Sequence, residues 1–212
     1  MAEAMTYSSL IEDVKTYCER NDKPFTDQIP RFVMLAENRI ATEVKCLGYV
    51  RFANGTFTTG NGIIAKPSRW RETATFFFNS PSSGIKFVKQ RGYTFCRSYW
   101  KDLSVTGEPE YYCDYGYEHI LVVPTPATTQ SFEWSYYERP DPLSDSNQTN
   151  WTTQYAPQLL LYATLMEAQP FLKRPERTQE FQALFDRAAA AVTNEAQRRM
   201  NGDQTLQTTG LQ

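Results

Sequence analysis

Residues 29–44, with the sequence IPRFVMLAENRIATEV, contain the clearest helical pattern in the chain. Apolar side chains recur there at steps of three and four, which places them on one stripe of a helix. The stripe consists of Ile29, Phe32, Val33, Ala36, Ile40 and Val44. The helix is predicted to begin near Thr26 or Asp27, because proline is tolerated in a first turn, where Pro30 would lie. Glu37 and Arg39 are expected on or beside its solvated side.

A preceding helix supplies the first partner for this stripe. Its apolar residues begin at Tyr7 and again recur at steps of three and four, and Thr6 is a suitable N-cap. The sequence Asn-Asp-Lys-Pro at residues 21–24 is expected to end it. Residues 1–48 are therefore predicted to form a helical hairpin.

The C-terminal part of the chain supplies two more apolar faces. After a polar linker at residues 141–148, one helix is predicted over about residues 150–170 and a long one over about residues 175–200. Because an apolar stripe must be buried against another element, these helices are expected to pack on the N-terminal hairpin. Residues 139–200 would then complete a single α domain.

The middle of the chain, residues 49–138, differs in composition: it is rich in Thr, Tyr, Phe and Gly and contains frequent turn signals. Short apolar runs between such signals are typical of antiparallel β structure. The predicted strands are Arg51 to Thr58, Glu72 to Phe78, Gly84 to Gln90, Tyr111 to Tyr115, Ile120 to Val123 and Ser131 to Glu138. The predicted fold is thus α+β, a helical bundle built from N- and C-terminal helices with an inserted antiparallel β domain. Residues 201–212 are expected to form a flexible tail.

Composition excludes several classes of protein. The 212 residues carry 22 Lys and Arg against 24 Asp and Glu, a formal net charge of −2. Nucleic-acid affinity depends mainly on a basic stripe that contacts phosphates, and here the basic residues are dispersed among acids. The apolar runs are far shorter than the roughly 20 residues that span a bilayer. With Glu3 where a signal peptide would carry a basic residue, the chain is expected to stay in the cytoplasm in which it is made.

Candidate catalytic residues are few. His119 is the single histidine, so mechanisms that need two are excluded, and a surface histidine is the simpler interpretation. The acid pairs Glu108 with Glu110 and Asp141 with Asp145 lie in proline-rich turns, where solvated acids are common. The cysteines lack the closely spaced pairs of a zinc site. They are Cys18, Cys46, Cys96 and Cys113. We therefore expect no catalytic residue, no metal and no cofactor.

Aromatic residues make up 14% of the chain and cluster in the predicted β region. Strand alternation buries about half of such residues, and the remainder exceed what a free monomer usually exposes. Tyrosine and tryptophan are favoured at protein interfaces. The residues alone therefore predict an α+β interaction module.

Several stretches, in this order, resemble the head-to-tail adaptor (connector) proteins of tailed bacteriophages, of the short-tailed type. They cover most of the chain, least clearly residues 51–100. The matching stretches are residues 7–10 (YSSL), 29–40 (IPRFVMLAENRI), 107–112 (GEPEYY), 136–144 (YYERPDPLS), 150–151 (NW), 156–163 (APQLLLYA), 167–168 (EA) and 171–172 (FL).

The resemblance implies a structural virion protein. A subunit of this kind, in twelve copies, forms a ring between portal and tail and continues the DNA channel, through which viral DNA passes without specific binding. It would be made in the host cytoplasm and reside in the virion neck. The implied portal contacts are Leu206, Gln207, Thr208 and Leu211 in the C-terminal tail. Contacts to tail or nozzle proteins, or to neighbouring subunits, are expected from Tyr93, Tyr99, Trp100 and Tyr117.

Two other classes stay open at this point. A different neck or tail component, such as a stopper or a tail-tube protein, would share this composition and differ in its place in assembly. A virion-associated glycan hydrolase would use two carboxylates.

Overall fold

The computed structural model describes residues 4–200 of the chain, which form two compact units. One unit contains the described residues up to Tyr49 and from Arg139 onward, and the other is Val50–Glu138. The first is helical and the second is mainly β. The predicted α+β fold, with N- and C-terminal helices around a central β region, is confirmed.

Within the described residues, the helical unit contains six α-helices and one short 3-10 helix, Leu47–Tyr49. The α-helices are α1 (Tyr7–Cys18), α2 (Lys23–Thr26), α3 (Ile29–Glu43), α5 (Trp151–Tyr155), α6 (Pro157–Leu172) and α7 (Pro175–Met200). A capping box fixes the start of α1: the Thr6 hydroxyl accepts the Ser9 N–H at 3.1 Å, and the Ser9 hydroxyl accepts the Thr6 N–H at 2.9 Å. Helix α1 ends where Glu19 turns into the left-handed region at φ 53°.

Helices from both ends of the chain share one core, as predicted. Helix α6 packs against α1, α3 and α7. Its buried side chains include Leu159, Leu160, Ala163 and Leu165. The N-terminal helices that pack against it bury their own stripes, among them Leu10, Val14, Ile29, Val33 and Ile40.

The β unit is built on two four-stranded sheets. Its strands are β1 (Val50–Thr56), β2 (Ile63–Ala65), β3 (Trp70–Ser80), β4 (Gly84–Phe87), β5 (Lys89–Gln90), β6 (Thr106–Gly107), β7 (Tyr111–Tyr115), β8 (His119–Val123), β9 (Thr125–Pro126) and β10 (Ser131–Glu138). One sheet has the order β1-β10-β3-β4 and the other β2-β8-β7-β5, while β6 and β9 form a short separate pair. Their core is largely aromatic, with Phe57, Phe76, Phe78, Tyr112, Phe132 and Trp134 packed on Ile120 and Val122.

The β unit departs from the predicted elements in several places, including the short strands β2, β6 and β9, which were not predicted. A helix, α4 (Tyr93–Tyr99), lies in the aromatic stretch that was expected to be strand or loop. The predicted strand from Gly84 to Gln90 is divided at Val88: β4 pairs antiparallel with β3, whereas β5 pairs parallel with β7 in the other sheet. Strands β6 and β9 also pair parallel, so two short parallel pairs accompany the antiparallel ladders.

The α3 helix begins later than predicted. Residues Lys23–Thr26 form the separate short helix α2, and α3 starts at Ile29 with its proline in the first turn. The buried Phe25 side chain explains the difference, because a separate turn lets Phe25 contact Phe32 and Phe171, with ring centroids 6.1 Å from each.

Replacing Gly48 by alanine tests how closely the helical unit packs. A Cβ atom at Gly48 would lie 2.2 Å from the Trp151 ring. We expect Gly48→Ala to lower the free energy of unfolding by about 1–3 kcal/mol through overpacking. Gly92→Ala is the control, because nothing lies within 4 Å of that position, and it should stay within about 0.5 kcal/mol of the parent. Urea unfolding of the full chain measures both, and an unchanged Gly48→Ala midpoint would contradict the packing.

Candidate interaction surface

Helix α4 presents aromatic side chains to the solvent because its other side is anchored. Cys96 is fully buried and packs with Cys113, Leu121 and Val123 of strands β7 and β8. With Cys96 turned inward, Tyr93, Phe95 and Tyr99 remain exposed. The anchor therefore holds these rings on a fixed part of the β unit rather than on a free loop.

The exposed rings contact one another and two tyrosines of β7. We call Tyr93, Phe95, Tyr99, Tyr111 and Tyr115 the α4 aromatic cluster. Phe95 and Tyr99 stack with centroids 5.9 Å apart, and each meets Tyr111 edge-on, at 5.2 Å and 5.0 Å. Tyr93 lies 6.2 Å from Tyr115. Such contacts stiffen the rings, so less entropy is lost when a partner covers them.

Charged groups border the cluster. The Arg91 guanidinium lies 5.8 Å from the ring centroids of both Phe95 and Tyr111, a cation–π arrangement. The Tyr99 hydroxyl donates to Glu110 Oε2 at 2.7 Å, and this bond raises the pKa of Tyr99. A surface of aromatic rings bordered by arginine and carboxylate is suited to binding another protein.

A buried carboxylate marks a second notable point, in the helical unit. Glu37, expected on or beside the solvated side, is only 8% exposed, so that expectation is wrong. The Leu143 N–H donates to both Glu37 oxygens at 3.2 Å, and Asn150 Nδ2 donates to Oε1 at 2.8 Å. Burial raises the pKa of Glu37 to about 7.

These bonds tie the segment before α5 to α3. The same segment is held at its other side by the Tyr7 N–H, which donates to the Gln148 carbonyl at 2.8 Å. Hydrogen-bonding needs of this kind have no periodic signal in sequence. The polar linker predicted at residues 141–148 is consequently a fixed part of the helical unit.

Comparison with known proteins identifies the family of this chain. A family model described as SU10 adaptor protein matches residues 5–208, nearly the whole chain. The chain belongs to the SU10 adaptor protein family. The resemblance to phage head-to-tail adaptors is thereby confirmed, and the short-tailed type stays a prediction. No curated protein matches the chain.

Membership of this family gives the chain a coarse role. An adaptor family is structural, and its name implies interaction with phage portal and tail components in the virion neck. Among the helices within residues 4–200, none combines the length and the apolar character needed to cross a membrane.

The structure places the predicted contact residues of the adaptor protein in different settings. Tyr93 and Tyr99 belong to the α4 aromatic cluster. Trp100 follows α4 and is half-buried, its indole N–H donating to the Val105 carbonyl at 3.0 Å. Tyr117 is 82% exposed in the turn between β7 and β8. Leu206, Gln207, Thr208 and Leu211 lie outside the described residues.

Three cluster members were not singled out from the sequence. Phe95, Tyr111 and Tyr115 count among its many aromatics, but nothing in the expected strand pattern separated them from core residues. The spacing of Phe95 and Tyr99, four residues apart, is the signal that a helical interpretation would have used.

Of the candidate catalytic groups, the acids Glu108 and Glu110 contact Lys86. Lys86 Nζ lies 3.0 Å from Glu108 Oε2 and 3.7 Å from Glu110 Oε1, and hydrogen bonds from Ser80 and Lys86 lower the pKa of Glu108. His119 lies in β8, in register with Tyr115. Burial raises the pKa of Cys113 to about 12, which makes it a protonated thiol. In the described part of the chain, His, Cys, Asp and Glu form no group of three or more that could hold a metal.

The buried Glu37 carboxyl makes stability depend on pH. Its folded-state pKa of about 7 lies above the ordinary 4.5. The contribution of this carboxyl to the free energy of unfolding is therefore fully present below pH 4.5 and is lost as the pH rises through 7. Glu37→Gln keeps an acceptor for Leu143 and Asn150 but has no proton to lose. We expect the variant to avoid the decrease in the free energy of unfolding that the parent shows at high pH, which is on the order of 3 kcal/mol. The free energy of unfolding of the variant should equal that of the parent at pH 4.5 and exceed it at pH 8.

Urea unfolding at the two pH values measures this difference. Glu180→Gln, on an exposed position of α7, is the matched control and should follow the parent at both. A Glu37→Gln chain that is less stable than the parent at pH 8 would show that the ionised carboxylate stabilises the fold.

Proposed function

We propose that this chain is a head-to-tail adaptor subunit that assembles, in twelve copies, into a ring between portal and tail. The observation that carries the proposal is the family match over residues 5–208. The ring would continue the DNA channel, and the protein would reside in the virion neck after synthesis in the host cytoplasm. Its role is structural, without catalysis or a cofactor.

The charge balance supports passage of DNA without specific binding. With 22 basic and 24 acidic residues, the chain has no excess of positive charge to hold phosphates. The acid pair Glu108 and Glu110 does not favour glycan hydrolysis, because these carboxylates contact Lys86 and Tyr99. A stopper or tail-tube protein would differ in its binding partner, which the portal-binding experiment below tests.

We assign different tasks to the two parts of the chain. Residues 1–48 and 139–200 would act as one α domain, whose extension at residues 201–212 reaches the portal. Leu206 and Leu211 would fill portal pockets, with Gln207 and Thr208 beside them. Many copies on one ring would make even a weak contact effective, since each later tail binds at high local concentration.

The inserted domain, residues 49–138, would contact tail or nozzle proteins. The α4 aromatic cluster supports this, because exposed, pre-arranged rings bordered by arginine have the composition of interface hot spots. Tyr117 would extend the contact, because it is the most exposed of the large apolar and aromatic side chains in the described residues. Trp100, whose indole N–H donates to the Val105 carbonyl, would hold the end of α4 in place.

Deleting residues 203–212 tests the proposed portal contact. Unfolding of the truncated chain should occur at the parent's midpoint, whereas co-sedimentation with portal rings should be lost. The double variant Leu206→Ser with Leu211→Ser should show the same loss, and Gln212→Ala should bind like the parent. Undiminished binding by the truncated chain would overturn the portal contact.

Substitutions in the α4 aromatic cluster test the tail contact. The triple variant Tyr93→Ser, Phe95→Ser, Tyr99→Ser should leave the adaptor on portal-bearing particles but reduce tail attachment at least tenfold, because interface aromatics contribute about 2 kcal/mol or more each. Tyr17→Ser, a comparably exposed tyrosine of α1, is the control. Protein content of purified particles gives the result, and normal tail content in the triple variant would contradict the assignment.

A further inference from the structure

The sheet β1-β10-β3-β4 has two open edges. Within the described residues, β1 pairs only with β10, and β4 pairs only with β3. An open edge exposes a row of backbone N–H and C=O groups and is a ready site for pairing with another strand.

The ladder hydrogen bonds identify which residues face each opening. The Phe57 N–H donates to the Gln130 carbonyl at 2.8 Å and continues the β1–β10 ladder. Since bonded and non-bonded pairs alternate in an antiparallel ladder, the backbone groups of Phe52, Asn54 and Thr56 point away from β10. By the same reasoning, the 2.8 Å bond from the Val88 N–H to the Phe76 carbonyl leaves Ile85 and Phe87 pointing away from β3.

The side chains of these residues share one face of the sheet. Directly paired residues project to the same side, and the register aligns Phe52 with Ser135 and Thr75, and Phe77 with Phe87. The opposite face carries the core residues Phe76, Phe78 and Trp134.

Each edge therefore carries apolar side chains on the face away from the core. Phe52 is 70% exposed at one edge, and Ile85 and Phe87 are 62% and 57% exposed at the other. Exposed apolar residues at an open strand edge favour association with another strand.

The two edges also match in direction. Every neighbouring pair in this sheet is antiparallel, so β4 runs opposite to β1. When a second copy stands beside the first in the same orientation, as in a ring, its β1 would therefore meet β4 of the first copy in an antiparallel arrangement. The two edges of one chain are therefore complementary in strand direction. A contact between the β4 edge of one copy and the β1 edge of the next would be head-to-tail, the kind of contact that closes into rings.

We propose that β4 of one subunit pairs with β1 of the next, so that the sheets of neighbouring subunits form one continuous sheet around the ring. The proposal rests on the proposed ring and names its subunit contact. Ile85 and Phe87 would form bonded pairs with residues of β1, each pair exchanging two N–H···O bonds. Phe52 of one subunit and Phe87 of its neighbour would cover each other on the shared face.

The pairing has only a few allowed registers. A slip of one residue would turn the side chains to opposite faces, so only steps of two are compatible. If both Ile85 and Phe87 are to pair with the outward-pointing residues Phe52, Asn54 and Thr56, Phe87 lies opposite either Phe52 or Asn54 of the next subunit. Bonded antiparallel pairs have Cα atoms about 5.5 Å apart, which is within the range that a disulfide bridges.

Cysteine cross-linking in particles tests the contact. The four native cysteines are buried, so introduced thiols would be the accessible ones in the described residues. The variants are Phe52→Cys with Phe87→Cys, and Asn54→Cys with Phe87→Cys. The control, Phe52→Cys with Phe77→Cys, places the second thiol on the same face but on the inner strand β3. Purified particles are oxidised with copper phenanthroline and resolved on non-reducing gels.

We expect one of the two edge pairs to give a ladder of covalent multimers, and the control to give none. If a variant yields no particles, chains that carry only Phe52→Cys and chains that carry only Phe87→Cys are co-assembled with the parent chain. Cross-linked dimers, in place of the ladder of multimers, are then expected. Rings visible by electron microscopy without any cross-link from either edge pair would overturn the edge pairing and leave the ring intact. Particles that contain the chain without a ring would overturn the proposed function as well.

Discussion

The fold depends on the burial of α6. This helix is apolar around nearly its whole circumference, with Leu159, Leu160, Ala163, Leu165 and Ala168 all buried. Two of its buried polar side chains donate within the helix: the Thr164 hydroxyl to the Leu160 carbonyl at 2.8 Å and Gln169 Nε2 to that of Leu165 at 2.9 Å. Such a helix is stable only when other helices surround it. Helices α1 and α3 from the start of the chain and α7 from its end meet that need.

This constraint explains what could be predicted from the sequence. Apolar periodicity is set by helix geometry, so the stripe of α3 and the need for partners at both chain ends followed from residues alone. The last helix, Pro175–Met200, and the strands Tyr111–Tyr115 and Ser131–Glu138 have the predicted bounds. Glu37 could not be placed, because its burial depends on donors from Leu143 and Asn150, more than 100 residues away in sequence.

The candidate surface shows the same limit of local patterns. Many aromatic residues were visible in the sequence, yet seven of them, including Phe76 and Trp134, form the core of the β unit. Buried Cys96 determines which rings of α4 stay exposed, and that contact joins α4 to residues on β7 and β8. The open edges of the sheet likewise follow from strand order, which sequence does not give. A rigid aromatic surface and unpaired strand edges are features that an assembly subunit can use and a free monomer would tend to avoid.

A cryo-electron microscopy reconstruction of the neck of purified particles that contain this chain tests the proposed ring directly. We expect a closed ring of this protein between the portal and the tail, with both units traceable in each subunit and an open central channel. A complete neck in which the ring between portal and tail is built from a different protein would contradict the proposal.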